Sequence, residues 1–181
     1  MEKCRIIFSG SGGQGIITSA IILAEAATLH EGLNAVQSQA YGPEARGGSS
    51  RSDVIISDKE IRYPKVIEPN ILVCLTQAAY NEFASLIRPG GILLTDKFFV
   101  KHEKKVDARL VELDMHREVL KTIGRPIVFN ICMLGAFIAI TKLVKESSIM
   151  KVLEKRIPHG FLDMNKNALE LGINMAPDLE L

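Results

Sequence analysis

The part of this chain that most limits how it can fold is its first thirty residues. They run from the apolar segment Cys4-Arg5-Ile6-Ile7-Phe8, through Ser9-Gly10-Ser11-Gly12-Gly13-Gln14-Gly15, into Ile16 to His30. The first segment is long enough for a buried strand and too short for a helix. Ile16 to His30 is apolar and Ala-rich without Gly or Pro, which suits a buried helix, and Gly32 is a natural stop. Between them, Gly10, Gly12 and Gly15 fit G-x-G-x-x-G in the strand-to-helix setting that gives that pattern meaning.

The rest of the sequence continues the alternation. Residues 34–40 read as a second strand. Ser50 to Ser57 alternates and ends at Asp58-Lys59, and Glu60-Ile61-Arg62-Tyr63 reads as the return arm of a hairpin. Ile71 to Leu75 is a short apolar strand, and Gln77 to Leu86 a helix closed by Pro89-Gly90-Gly91. Ile92 to Thr95 and Leu110 to Leu113 are further strands, and Met115 to Thr122 a short helix. A long apolar helix starts near Asn130, with Asn130 as its cap or as a buried hydrogen-bonding residue and Gly135 permitting close packing. Two helices close the chain, at Ser148 to Lys155 and at Asn165 to Leu171, with Asn165 and Asn167 read as caps. Lys101 to Lys105 reads as an exposed loop. The expected fold is α/β, a Rossmann-like α/β/α sandwich of three layers with a mixed, mostly parallel sheet, in one domain spanning residues 1–181.

Bulk properties remove several classes of function. With 22 basic and 21 acidic residues the formal net charge is +1, so no global field points to nucleic acid or a membrane surface. The longest strongly apolar stretch, Ile127 to Val144, contains Asn130, Thr141 and Lys142 and reads as a buried helix rather than a membrane span. Cys4, Cys74 and Cys132 form no CxxC or Cys/His cluster, which argues against an iron–sulfur or zinc site on this chain. Three scattered thiols suggest a reducing compartment, and the N-terminus enters a strand without signal-peptide regions, so a cytoplasmic location is expected. His30, His102, His116 and His159 show no metal spacing.

Two loops carry the chemistry. Gly10-Ser11-Gly12-Gly13-Gln14-Gly15 offers unpaired N–H groups and the positive end of a helix dipole to an anion. Ile16 and Ile17 stand where a triphosphate loop needs Lys and Ser or Thr. The second strand ends Val36-Gln37-Ser38-Gln39, without the carboxylate that holds a dinucleotide ribose. An unusual phosphate-bearing ligand, or a turn with no ligand, remains. In the second loop, Tyr41-Gly42-Pro43-Glu44-Ala45-Arg46-Gly47-Gly48, the guanidinium of Arg46 and that of nearby Arg51 suit a phosphate or carboxylate. Glu44 is equally suited to pair with Arg46 and stiffen the loop.

Taken in order, these segments resemble the gamma domain of the 2-oxoacid:ferredoxin oxidoreductases. The likeness rests on Gly10 to Gly15, Tyr41 to Gly48, Asn130 with Leu134-Gly135-Ala136, and Asn165 with Ala168-Leu169 and Gly172, and it spans nearly the whole chain. One departure is Asn70, where many relatives carry Asp. The resemblance implies a subunit of an enzyme that turns a 2-oxoacid and coenzyme A into acyl-CoA and carbon dioxide. The Pro-Glu-Ala-Arg-Gly-Gly loop looks like that of the 2-oxoglutarate type, with branched-chain and pyruvate homologues as alternatives. Thiamine diphosphate, magnesium and iron–sulfur clusters would belong to alpha and beta, or alpha, beta and delta, partners, which pass electrons to ferredoxin or a similar acceptor. This chain would contribute to complex assembly and to coenzyme A binding through Gly10, Ser11, Gly12, Gly13, Gln14, Gly15, Glu44, Arg46 and Arg51, the alternative being a purely structural assembly subunit without a ligand. It would be inactive alone and would expose an apolar docking patch, with a homodimer as a substitute for docking when isolated.

Overall fold

The computed structural model describes residues 3–41, 49–103 and 105–178. Its strands are β1 (Cys4–Ser11), β2 (Asn34–Tyr41), β3 (Ser49–Ser57), β4 (Ile71–Cys74), β5 (Gly91–Asp96) and β6 (Ala108–Leu113). They form one sheet in the order β2-β3-β1-β4-β5-β6. β1, β4, β5 and β6 are parallel, while β3 runs antiparallel to both β1 and β2, so the sheet is mixed as expected. The helices are α1 (Ile16–His30), α2 (Gln77–Phe83), α3 (Met115–Thr122), α4 (Phe129–Thr141), α5 (Glu146–Arg156) and α6 (His159–Met175).

Strand periodicity divides the core. Ile6, Phe8, Ile56, Val73 and Leu94 face α1 and α4, and Phe8 meets Phe137 of α4 at 5.1 Å between ring centroids. The alternate residues Ile7, Ile55, Leu72 and Leu93 face Tyr80 and Phe83 of α2. Helices therefore cover both faces but unequally, since α2 is alone on its side with the segments around Val66 and Val100. β1 and β4 sit between two apolar layers, which is why their sequences are continuous apolar runs rather than alternating ones. α4 is buried nearly all round, as an evenly apolar helix must be.

α4 crosses α6 at a pair of glycines. A Cβ on Gly135 would overlap the Leu169 carbonyl, and one on Gly172 would overlap the Cys132 carbonyl. The two backbones touch where neither helix has a side chain, so the packing expected of Gly135 is present and has a partner in Gly172.

Two expectations need correction. The antiparallel part of the sheet is β3 between β1 and β2, not a hairpin at Asp58-Lys59; residues 60–65 form no strand. Both edges of β3 are already taken, by β1 and β2, so a return arm has nothing to pair with. The segment is tethered by side chains instead: Arg51 Nη2 donates to the Val66 carbonyl (2.7 Å) and the Val66 N–H donates to Asp53 Oδ2 (3.3 Å). Second, α6 begins at His159, after Pro158, so Asn165 and Asn167 are interior rather than capping. Asn165 is buried, and its Nδ2 donates to the Phe161 carbonyl one turn back (2.8 Å). Asn130 is the second residue of α4, so of its two expected roles the structure has the buried hydrogen-bonding one. Asn70 ties β4 to β1, accepting the Arg5 N–H at Oδ1 (3.0 Å) and donating its own N–H to the Arg5 carbonyl (2.7 Å).

Candidate functional site

The carboxyl ends of β1, β4, β5 and β6 share one edge of the sheet, where ligands of open α/β folds tend to bind. Three helices start there directly after a parallel strand. α2 is closed by its own cap, Thr76 Oγ1 accepting the Ala79 N–H (3.2 Å). At α3, Asp96 on the end of β5 accepts the His116 N–H (2.9 Å) and, through its other oxygen, the Phe98 N–H (2.9 Å). Burial pushes the Asp96 carboxyl above its usual range, against the pull of those N–H groups. α1 starts at Gly15 with no side-chain cap and no acidic residue in its first turn. Its leading N–H groups have no acceptor within the helix and, among the described residues, no side-chain cap at this edge.

The turn before α1 is held from its ends and open in the middle. Gly10 and Ser11 are the last residues of β1, so the strand continues into the glycine run. Gln14 folds back across the turn: its Oε1 accepts the Ser11 N–H (2.8 Å) and its Nε2 donates to the Leu75 carbonyl beyond β4 (3.0 Å). A Cβ on Gly10 would meet that Oε1 at 2.5 Å. Gly15 has φ 71° and ψ 19°, a left-handed conformation that a glycine adopts without penalty. Asn130 lies against it, with Nδ2 2.6 Å from where a Gly15 Cβ would be. Gly12 and Gly13 are exposed, and a Cβ on either would meet nothing within 4 Å.

Of the residues expected at the site, Gly10 to Gly15 are therefore together in one turn, with Gln14 serving as its internal brace. Glu44 and Arg46 lie outside the described residues. Arg51 stands opposite Ser9 in the β1–β3 register, close to the strand end that feeds the turn. Its guanidinium is already engaged: Nε donates to Asp53 Oδ1 (2.6 Å), Nη2 to Asp53 Oδ2 (2.9 Å), and the group lies 5.5 Å from the Phe83 ring centroid. Arg51 thus fastens the segment after β3 beneath α2. Sequence reading missed Ser19, whose hydroxyl reaches both the Gly15 carbonyl (3.3 Å) and the Asn130 carbonyl (3.1 Å). It also missed the contact of Asn130 with Gly15, because residues 115 positions apart leave no local signal.

Cys4, Cys74 and Cys132 are buried and separate, and burial pushes each thiol up to about 12. Among the described residues, no group of three His, Cys, Asp or Glu side chains is placed to hold a metal ion, and no helix is long and apolar enough to cross a membrane.

Comparison with known proteins gives this arrangement its relatives. Residues 5–175 match the family model described as pyruvate ferredoxin/flavodoxin oxidoreductase. The chain is 44% identical to the 2-oxoglutarate synthase subunit KorC of Methanocaldococcus jannaschii, over 97% of this chain and 95% of that one. Among solved structures it resembles the gamma subunit of a keto/oxoacid ferredoxin oxidoreductase from Geobacter sulfurreducens, with TM-score 0.86, 38% identity, and coverage of 96% of this chain and 98% of that one. It also has the fold of part of the 2-oxoglutarate:ferredoxin oxidoreductase of Magnetococcus marinus, a structure with 2-oxoglutarate, coenzyme A and succinyl-CoA bound. There the TM-score is 0.86 at 21% identity, over 97% of this chain and 31% of that one. The chain belongs to the pyruvate ferredoxin/flavodoxin oxidoreductase family, and its full-length counterparts there are the small gamma-type subunits of multisubunit 2-oxoacid oxidoreductases.

Proposed function

We propose that this chain is the gamma subunit of a 2-oxoglutarate:ferredoxin (or other acceptor) oxidoreductase, and that its glycine turn holds a phosphate-bearing part of coenzyme A. The observation that carries the reading is the open start of α1. Of the three helices that directly follow a parallel strand at this edge, Thr76 and Asp96 close two, and α1, among the described residues, has no side-chain cap beside the open Gly12-Gly13 turn. Backbone N–H groups at a helix start bind phosphate oxygens without a dedicated cation. The substrate preference is supported by the 44% identity to a 2-oxoglutarate synthase subunit, and the ligand by the coenzyme A bound in the Magnetococcus marinus enzyme.

The chemistry belongs to partner subunits carrying thiamine diphosphate, magnesium and iron–sulfur clusters, with alpha and beta chains, or alpha, beta and delta chains, completing a cytoplasmic complex in which this chain is one domain. The turn's part is to bind and orient. Ile127 and Phe161, 78% and 57% exposed, sit on neighbouring elements beside α4 and supply apolar surface for docking.

The test uses the assembled complex, assayed with 2-oxoglutarate, pyruvate and 2-oxoisovalerate at varied coenzyme A. Gly12 is the site to fill, because a side chain there enters open space without the positive φ of Gly13. Gly12→Leu is expected to raise the KM for coenzyme A about tenfold or more, the loss of a charge-assisted contact, with assembly intact. A complex that assembles with unchanged coenzyme A dependence would make the turn a structural feature only. A preference for pyruvate would refute the substrate assignment.

A further inference from the structure

Asn130 is 7% exposed and lies far along the chain from the glycine turn, yet its carboxamide covers Gly15. Two N–H donors converge on the Gly15 carbonyl, the Ser19 N–H (3.0 Å) and Asn130 Nδ2 (3.4 Å), and the single proton of the Ser19 hydroxyl, 3.3 Å away, is shared with a second acceptor. The same Ser19 hydroxyl reaches the carbonyl of Asn130 (3.1 Å), so the first turns of α1 and α4 are tied through one small network. A peptide is planar and trans, so fixing the Gly15 carbonyl fixes the Ile16 N–H, which points the opposite way, out of the helix start.

We infer that Asn130 is a positioning residue for coenzyme A: by holding the Gly15 carbonyl from α4 it aims the leading N–H groups of α1 at the bound phosphate. The inference rests on the proposed role of the glycine turn. It assigns to a residue on another helix the orientation of a site that it does not itself touch. It also explains why an asparagine is buried at this point of an otherwise apolar helix. A packing residue would need no donor, whereas here the donor is directed at the one carbonyl whose peptide ends the turn.

The experiment measures kcat, KM for coenzyme A and KM for 2-oxoglutarate in the assembled complex carrying Asn130→Ala, Asn130→Asp or, as reference, Gly12→Leu. Asn130→Ala removes one neutral hydrogen bond and is expected to raise the KM for coenzyme A about fivefold. Asn130→Asp keeps the shape, replaces the donor by an acceptor facing the Gly15 carbonyl, and puts negative charge near the phosphate; its increase is expected to exceed that of alanine. The KM for 2-oxoglutarate should move less than about twofold in both, since the lost hydrogen bond lies at the coenzyme A turn alone. A purely structural role would lower the thermal midpoint without this selectivity. If Gly12→Leu raises the KM for coenzyme A and neither Asn130 variant does, the inference fails and the role of the turn stands. If Gly12→Leu also has no effect, the role of the turn fails as well. Should neither Asn130 variant assemble, Ser19→Ala decides in the same way: a selective increase supports the inference and an unchanged value overturns it.

Discussion

At the scale of single residues, two glycines hold the arrangement together for different reasons. Gly15 is needed for its backbone and for the space its missing side chain leaves. Gly15→Ala costs about 1–2 kcal/mol for the left-handed conformation, and its methyl group displaces the Asn130 carboxamide. The thermal midpoint should fall by about 2–4 °C per kcal/mol for a chain of this size, which thermal unfolding monitored by circular dichroism will show. An unchanged midpoint would mean that Asn130 moves aside freely. Gly172 is needed only for packing. Gly172→Ala drives a methyl group into the Cys132 carbonyl on α4, and overpacking of this kind costs about 1–3 kcal/mol or more. Gly12→Ala meets open space and should stay within about 0.5 kcal/mol of wild type, as surface substitutions do.

At the scale of elements, the helix ends carry a second set of consequences. α5 has no cap of its own, and Glu31, just beyond the end of α1, supplies one. Its Oε1 accepts the Ser148 hydroxyl (2.6 Å) and the Lys145 N–H (3.0 Å). Those bonds, the Ser148 hydroxyl first, hold the Glu31 carboxyl below its ordinary range. A carboxylate with a depressed folded-state pKa contributes stability above its unfolded pKa and loses it as pH falls through the folded value. Glu31→Gln should therefore lower the thermal midpoint at pH 7, and the difference from wild type should shrink below the ordinary glutamate range. A difference independent of pH would show that the charge is not what caps α5. Much of this level was legible in the sequence, because apolar runs such as Ile71 to Leu75 and the even apolarity of α4 report burial directly. The hairpin at Asp58-Lys59 was not, because whether residues 60–63 pair depends on the edges of β3 already being occupied, which is a property of the whole sheet. The start of α6 at His159 was missed because Pro158, not an asparagine, begins it. At the site, the glycine pattern was legible and its bracing was not: Gln14, Ser19 and Asn130 act through contacts that only the fold creates.

At the scale of the molecule, the chain has, among the described residues, a helix start without a side-chain cap and exposed apolar side chains, the two features that the proposed binding and docking roles use. The isolated chain is expected to show no turnover of 2-oxoglutarate with thiamine diphosphate, coenzyme A and an artificial electron acceptor, with activity appearing once partner subunits are added. Turnover by the pure chain would overturn this division of labour. The central claim, that coenzyme A binds at the start of α1, is tested most directly by hydrogen–deuterium exchange of the assembled complex with and without coenzyme A. Protection is predicted across the turn and first helical residues, Gly12 to Thr18, with little change at the opposite edge around Lys65 and Ile67. Protection confined to other segments, with Gly12 to Thr18 exchanging at the same rate in both states, would contradict it.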